Sequence, residues 1–429
     1  MASTDVLRIT LAVIFCFSSL AYSVEVVDVN CGLQQISLFV SGRDGYHTYR
    51  IPSLITTQKG TILAFCEGRK NSSSDTGDID LLLKRSTDGG KTFNPQMIIW
   101  DDANNTCGNP CPVVDRDNGI IWLLTTWNAG NDHEKQIKQA TAKKTRCAYV
   151  MYSKDDGKSW SKPVEITESV KKKAWRWYAT GPGVGIQLQY GPRKGRLVIP
   201  CDYSAKCDDP NKQYGSHIIY SDDHGKTWHI GGAVWGGSNE CQVVECLDGS
   251  LILNMRNHNT VGSRAIAYSS DSGQTWNNLS FVSNLQEPRC QASFLRYSPN
   301  KFTDKNIILF SNPNHDKKRL NMTVKLSFDE GKMWPVEKCL YEGPSAYSCL
   351  TVLPDGKIAC FYEAGEKRPY EKIVLATFCL NWLVEGKEHS NFLQTSNFKG
   401  IYSEDIIFLA PYRFFFGSNK SITSRYDRT

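Results

Sequence analysis

Three arginines stand at the ends of strand-like runs in distant parts of the chain: Arg50 in "YRIPS", Arg256 at the close of "LILNMR" and Arg319 in "KKRLNMTVKLS". A guanidinium presents paired N–H donors in a rigid fork that matches a carboxylate. Taken singly, each reads as a surface ion-pair residue; converging on the axis of a ring, they would clamp an anionic group. A second candidate is "SDDHGKTW" at 221–228, which packs two carboxylates, a histidine, a lysine and a tryptophan into one turn. Near-copies start at Ser86, Ser153, Ser269 and Ser327, and five copies cannot all be one active site. They share S-x-D-x-G-x-[ST]-[WF], broken only by Met333 at the hydroxyl position. Ser and Asp side chains bond nearby backbone N–H groups, Gly accepts positive φ, and the aromatic buries the turn. The ligand series of a calcium loop is missing. The octets are therefore scaffold.

The elements that must position the arginines are short strands. Each octet follows an apolar run such as "DIDLLLKRS" or "RCAYVMYS", and "DG" turns separate further runs in "VVECLDGSLILNMR" and "CLTVLPDGKIACFYEA". The 33 glycines and 17 prolines punctuate the chain every few residues, and helical periodicity is scarce. Octet starts lie roughly fifty to seventy residues apart, room for a four-stranded blade with loops. With the strand material after Tyr347, the expectation is an all-β, six-bladed β-propeller over 24–383, closed by pairing N- and C-terminal strands, with 371–383 part of the closure. Residues 384–429 are expected to be a C-terminal extension.

Net charge is +6 among 50 basic and 44 acidic residues, dispersed apart from "KKK" at 171–173. That run reads as a solvated loop, and no nucleic-acid partner is implied. Arg8 followed by "ITLAVIFCFSSLAYS" to Ser23 reads as a secretory signal peptide, residues 1–23. Its apolar run is shorter than the ~20 residues of a membrane span, and no later segment qualifies. A secreted or lysosomal destination follows. Of fifteen cysteines, Cys16 would leave with the leader, and the remaining fourteen suit disulfides. Cys107 with Cys111, Cys201 with Cys207 and Cys241 with Cys246 are candidate pairs. Zinc is a poor rival, because the histidines do not cluster with them. Sequons at Asn71, Asn104, Asn278, Asn321 and Asn419 fit an exported chain.

"YRIPS", the five octets, "GSNECQVVECLDGSLILNMR" and "GPSAYSCLTVLPDG" together resemble the exo-α-sialidases (neuraminidases) of the six-bladed propeller type with Asp boxes, from about Phe39 to Leu383. The resemblance implies that Arg50, Arg256 and Arg319 grip the sialic acid carboxylate and that Glu363 orients Arg50. It gives Tyr347 as nucleophile, Glu240 as the base that activates it and Asp75 as general acid/base. Arg69 would meet the O4 region of the sugar, with Asn109 and Trp127 lining the pocket. A sialic acid already carries a carboxylate on its anomeric carbon, so a carboxylate nucleophile would be repelled and a neutral phenol is not; sialidases are the tyrosine exception among retaining glycosidases. With a resting pKa of ~10, that phenol needs an adjacent base.

The expected activity is retaining hydrolysis of terminal α-linked sialic acids on glycoproteins, glycolipids or oligosaccharides, with no metal or organic cofactor. Transfer to a sugar hydroxyl, between or within molecules, uses the same residues. A catalytically silent sialoglycan-binding propeller could keep the arginines without Tyr347, Glu240 and Asp75. The Asn71 sequon lies on the loop that carries Asp75.

Overall fold

The computed structural model describes residues 32–209, 213–258, 262–277, 279–297 and 306–386. The leader-like stretch, Asn278, Asn419 and all of the extension beyond Gly386 lie outside the described residues. Strand β1 (Gln34–Val40) opens the described chain but belongs to the last blade. The first blade is β2 (Thr48–Thr56), β3 (Ile62–Arg69), β4 (Ile79–Ser86) and β5 (Met97–Trp100). The second is β6 (Thr106–Val114), β7 (Ile121–Asn128), β8 (Cys147–Ser153) and β9 (Val164–Glu165). In the third, β10 (Trp175–Thr180) and β11 (Ile186–Gln187) share the inner position, followed by β12 (Leu197–Ala205), β13 (Tyr214–Ser221) and β14 (His229–Trp235). The fourth runs β15 (Ser238–Glu245), β16 (Leu251–Asn257), β17 (Arg264–Ser269) and β18 (Ser280–Val282).

The last two blades share a strand. Blade five is β19 (Ser293–Tyr297), β20 (Ile307–Pro313), β21 (Leu320–Ser327) and the first part of β22 (Val336–Val352). The rest of β22, from Ser345, is the inner strand of blade six, followed by β23 (Ile358–Ala364) and β24 (Lys372–Phe378). The fourth strand of that blade is β1, antiparallel to β24 with Ile36 opposite Leu375. The propeller is thus six-bladed and closes by its two ends. Only part of 371–383 enters the closure: Leu380–Val384 turns into a short helix that buries Leu383 and Val384.

Each octet joins the third strand of a blade to the fourth. Blade six has none because its third and fourth strands come from opposite ends of the chain. The five turns are built alike. In the third, Gly225 N–H donates to Ser221 Oγ at 2.8 Å, Ser221 donates to Asp223 at 2.8 Å, and Asp223 accepts the Thr227 N–H at 2.9 Å and its hydroxyl at 2.6 Å. At the fifth, Met333 keeps the N–H bond to Asp329 at 2.9 Å but has no hydroxyl to add. The fourth and fifth octet residues both take positive φ, His224 at 60° and Gly225 at 83°. At Gly225 a Cβ would also meet the Trp122 ring at 2.1 Å. The octet histidine is an interblade tie, bonding Asp115 of the β6–β7 turn at 2.9 Å.

Two expectations are corrected by the packing. Every described cysteine is a free thiol. Cys107 and Cys111 share one strand, roughly 13 Å apart by strand rise, and face different cores; a disulfide needs Cα atoms within about 7 Å. Cys201 is buried within β12 while Cys207 lies past its end, and Cys241 and Cys246 also pack into separate cores. The "KKK" run is not wholly solvated: Lys171 is buried, donating to Thr145 Oγ1 at 2.5 Å and to the carbonyls of Arg146 and Arg176, both at 2.7 Å.

Burial raises the pKa of Asp223, but the hydrogen bonds from Thr227 and Ser221 outweigh it and hold the carboxyl below the usual range. Asp271 is lowered in the same way, and Asp155 is brought down to about 2. A carboxyl lowered on folding adds stability above its unfolded pKa of about 4, and that contribution is lost as pH falls through the folded value. The urea midpoint is therefore expected to drop as pH falls below about 4. Asp223→Ala is expected to cost about 1–3 kcal/mol by urea denaturation at pH 7, without changing kcat/KM of the folded fraction.

Candidate active site

The inner strands carry the site, and they carry it at bulges. Register shifts fall between Arg50 and Ser53 on β2, Gly108 and Cys111 on β6, Trp175 and Tyr178 on β10, Ser238 and Cys241 on β15, and Ser345 and Ser348 on β22. A bulge breaks the alternation of faces and re-aims side chains. Ile51, Asn109, Trp177, Asn239, Glu240 and Tyr347, all within these bulges, line one cavity of about 440 Å³ at one mouth of the ring. Ile51 and Asn109 adopt positive φ, 59° and 54°, a strain of the order of 1–3 kcal/mol each that the surrounding bonds must hold.

Glu363, wholly buried on β23, is the anchor. Its two oxygens take the Arg50 fork at 3.1 and 3.2 Å, the Ile51 N–H at 2.9 Å and the Tyr347 N–H at 3.1 Å. Burial would lower the pKa of Arg50, but the Glu363 carboxylate more than offsets it, so the guanidinium stays charged. The other two arginines converge on the same tyrosine. Arg256 donates through Nη1 to Glu240 at 2.8 Å and to the Tyr347 hydroxyl at 3.2 Å. The Cζ atoms of Arg50 and Arg319 lie 5.0 and 5.5 Å from the Tyr347 ring centroid. Arg319 is held by the Tyr370 hydroxyl at 2.8 Å and the Arg289 carbonyl at 3.0 Å. Tyr370 also places its ring 4.1 Å from the Arg50 Cζ.

The Tyr347 hydroxyl donates to Glu240 Oε1 at 2.5 Å. Burial and then the Glu240 charge raise the phenol's pKa well above its ordinary value, the three guanidiniums opposing. The phenol is therefore neutral at rest and reacts only as its proton moves to the carboxylate already bonded to it. Asp75 stands at the mouth with its side chain 60% exposed, 2.8 Å from Arg69 Nη1 and 3.4 Å from Arg50 Nη1. Partial enclosure pushes its pKa up, but Arg69 and then Arg50 outweigh that and hold it below the ordinary value. Arg69 is fixed by Glu67 at 2.7 and 3.1 Å and by the Ser73 carbonyl at 2.6 Å. Asn71 is exposed on the same loop.

Asn109 reaches the pocket wall; its Oδ1 accepts Arg146 Nη2 at 2.5 Å and Thr126 Oγ1 at 3.0 Å. Trp127 does not. It follows Thr126 on β7, so its side chain takes the opposite face, where the indole N–H donates to Asp102 at 2.7 Å. Several pocket residues escaped the sequence reading. Arg146 heads "RCAYVMYS" and Asp202 interrupts "LVIPCDYS", the same pattern of charge in an apolar run that singled out the three arginines. Tyr370, in the loop "KRPYEK", carries no such signal.

A BNR repeat-like domain matches residues 60–360. The chain is 33% identical over 357 residues to a sialidase of Micromonospora viridifaciens, covering 81% of this chain and 54% of that one. It is 31% identical over 375 residues to the exo-alpha-sialidase of Aspergillus fumigatus, covering 80% and 86%. The chain belongs to the sialidase family. It spans little more than half the length of the Micromonospora sialidase. Among solved structures, the Hadza microbial sialidase Hz136 superposes with a TM-score of 0.72 at 32% identity, over 82% of this chain and 69% of that one.

In this sialidase-family chain Glu363 is the residue whose loss should spread furthest. Glu363→Gln leaves the buried Arg50 charge with only the exposed Asp75 carboxylate, 3.4 Å away, as an ionic partner, an effect of about 3 kcal/mol, the lower end for a broken buried pair. A matching fall in urea-unfolding free energy is expected.

Proposed function

We propose that the protein is an exo-α-sialidase that releases terminal α-linked sialic acids with retention of configuration, through a covalent intermediate on Tyr347. The observation that carries the reading is the 2.5 Å hydrogen bond from Tyr347 to Glu240, enclosed by the guanidiniums of Arg50, Arg256 and Arg319. The clamp would bind the sugar carboxylate and set the anomeric carbon over the phenol oxygen. Asp75 would donate a proton to the departing glycosidic oxygen as Tyr347 attacks and Glu240 takes the phenol proton. In the second half, Asp75 would deprotonate water, which attacks the anomeric carbon while the tyrosyl oxygen leaves and recovers its proton from Glu240. Two inversions give net retention.

Asp75 needs a proton in the first step, yet Arg69 and Arg50 favour its ionised form in the free protein. The substrate acts against the Arg50 part of this: its carboxylate offsets the Arg50 charge, so the Asp75 pKa rises when the sugar binds, with Arg69 still opposing.

Proton NMR of α2,3-sialyllactose turnover tests the whole scheme: the α-anomer of free sialic acid should appear first. Early β-anomer would overturn retention, an anhydro or transferred product would make the protein a trans-sialidase, and no turnover between pH 4 and 7 would leave a binding propeller. Tyr347→Phe should lower kcat by at least about 10³-fold. Asp75→Ala should slow sialyllactose far more than an aryl sialoside with a good leaving group; equal losses would remove Asp75 as the acid. For sialyllactose, the high-pH limb of kcat, which reports the complex, should lie above that of kcat/KM, which reports the free protein.

A further inference from the structure

The pocket wall that faces the arginine clamp carries two polar atoms with no use in the mechanism. Arg146, immediately before β8, and Asp202, on β12, are 2% and 1% exposed and both line the catalytic cavity. Arg146 spends Nε and Nη2 on Thr126 and Asn109, and Asp202 Oδ1 accepts Asn239 Nδ2 at 2.8 Å. Arg146 Nη1 and Asp202 Oδ2 are buried with no hydrogen-bond partner among the described residues. Buried polar atoms are nearly always paired, so two orphans on one pocket wall point to a ligand group that pairs them.

Which ligand atom arrives there follows from ring geometry, given the sialidase reading above, on which this inference rests. The clamp and Tyr347, from blades one, four, five and six, fix the carboxylate and the anomeric carbon, carbon 2. In a six-membered ring the atom opposite carbon 2 is carbon 5, so its substituent projects toward blades two and three. We propose that Arg146 and Asp202 read the carbon-5 substituent and favour one that carries a hydroxyl over the methyl-ended N-acetyl group.

A hydroxyl both donates and accepts, so one atom can satisfy a guanidinium N–H and a carboxyl oxygen, whether that carboxyl is ionised or protonated. Burial, with Glu240 adding to it, pushes Asp202 toward the protonated form despite Arg256 and Arg146. An acetyl group also offers an amide, but it must lodge a methyl beside Arg146, Asp202, Asn109 and Asn239. Apolar cover is scarce: Ala179 is small, one face of Trp177 is taken by the Arg146 guanidinium at 4.0 Å, and the Tyr214 ring is stacked on His258 at 4.4 Å with the Lys138 ammonium 4.5 Å from its centroid. Sites that pair a substrate hydroxyl discriminate strongly against analogues that leave the pair unmade.

The test compares kcat/KM for the 4-methylumbelliferyl α-glycosides of three acids: N-acetyl, N-glycolyl and the deaminated acid with a hydroxyl directly on carbon 5. At least one hydroxyl-bearing substrate should lead the N-acetyl compound by about ten-fold or more, and the leader tells whether the hydroxyl sits on the ring carbon or at the end of an acyl arm. Arg146→Met and the near-isosteric Asp202→Asn should each pull that ratio toward unity; the second carries the test if the first fails to fold. An N-acetyl substrate turned over equally well or better, or a ratio unmoved in the folded variants, overturns the inference alone. No turnover of all three overturns the sialidase reading and the inference with it.

Discussion

One buried carboxylate ties the ring closure to the chemistry. Glu363 sits on the last blade and binds Arg50 on the first, 313 residues away in sequence. It also accepts the backbone N–H of Ile51 and of Tyr347. The pairing of β1 with β24 holds the same two blades together from the outside. If the ring opened, Arg50 and Tyr347 would lose their common reference point, so ring closure and the alignment of the site are one constraint. A charged anchor is also stiffer than an apolar contact, because breaking any part of it leaves a charge buried and unpaired.

Around that anchor the charges alternate. Glu363, Glu240 and Asp75 are each bonded to an arginine, and each of those arginines keeps donors directed toward the cavity or its tyrosine. The three guanidiniums gathered around Tyr347 suit an anionic ligand, and the carboxylates fix their orientation before the ligand arrives. Such preorganisation means the site need not reorient dipoles as charge develops.

The fold was legible because its signals are local and repeated. An octet whose fourth and fifth residues need positive φ marks the step from third to fourth strand wherever it occurs, and five such steps suffice for six blades once the ends of the chain pair with each other. Arg50, Arg256 and Arg319 were legible as charges at strand ends. Asp75, Glu240 and Tyr347 could be singled out only through the ordered motifs of a family, because nothing local distinguishes a pocket tyrosine from a core one. Trp127 was misplaced because one step along a pleated strand reverses the face, and it is Thr126 whose side chain bonds the pocket residue Asn109. The cysteine pairs failed for a related reason: neighbours along an extended strand are distant in space.

The bulges explain why the chemistry is gathered at one end of the ring. On β2, β6, β15 and β22, Ile51, Asn109, Glu240 and Tyr347 line the arginine-rich cavity, while Leu54, Val113, Val244 and Leu350 further along the same strands line a second cavity of about 570 Å³ at the opposite mouth. These four inner strands therefore all run from the arginine-rich mouth to the other. A regular strand would offer the mouth only every second side chain, with the rest turned into blade cores. Breaking the register at the mouth lets adjacent residues such as Asn239 and Glu240 both face the cavity, while the remainder of each strand returns to the alternation that packs the blades. The strain at Ile51 and Asn109 belongs to that arrangement, and it is tolerated where Glu363 and Glu67 accept the backbone N–H groups of those same residues.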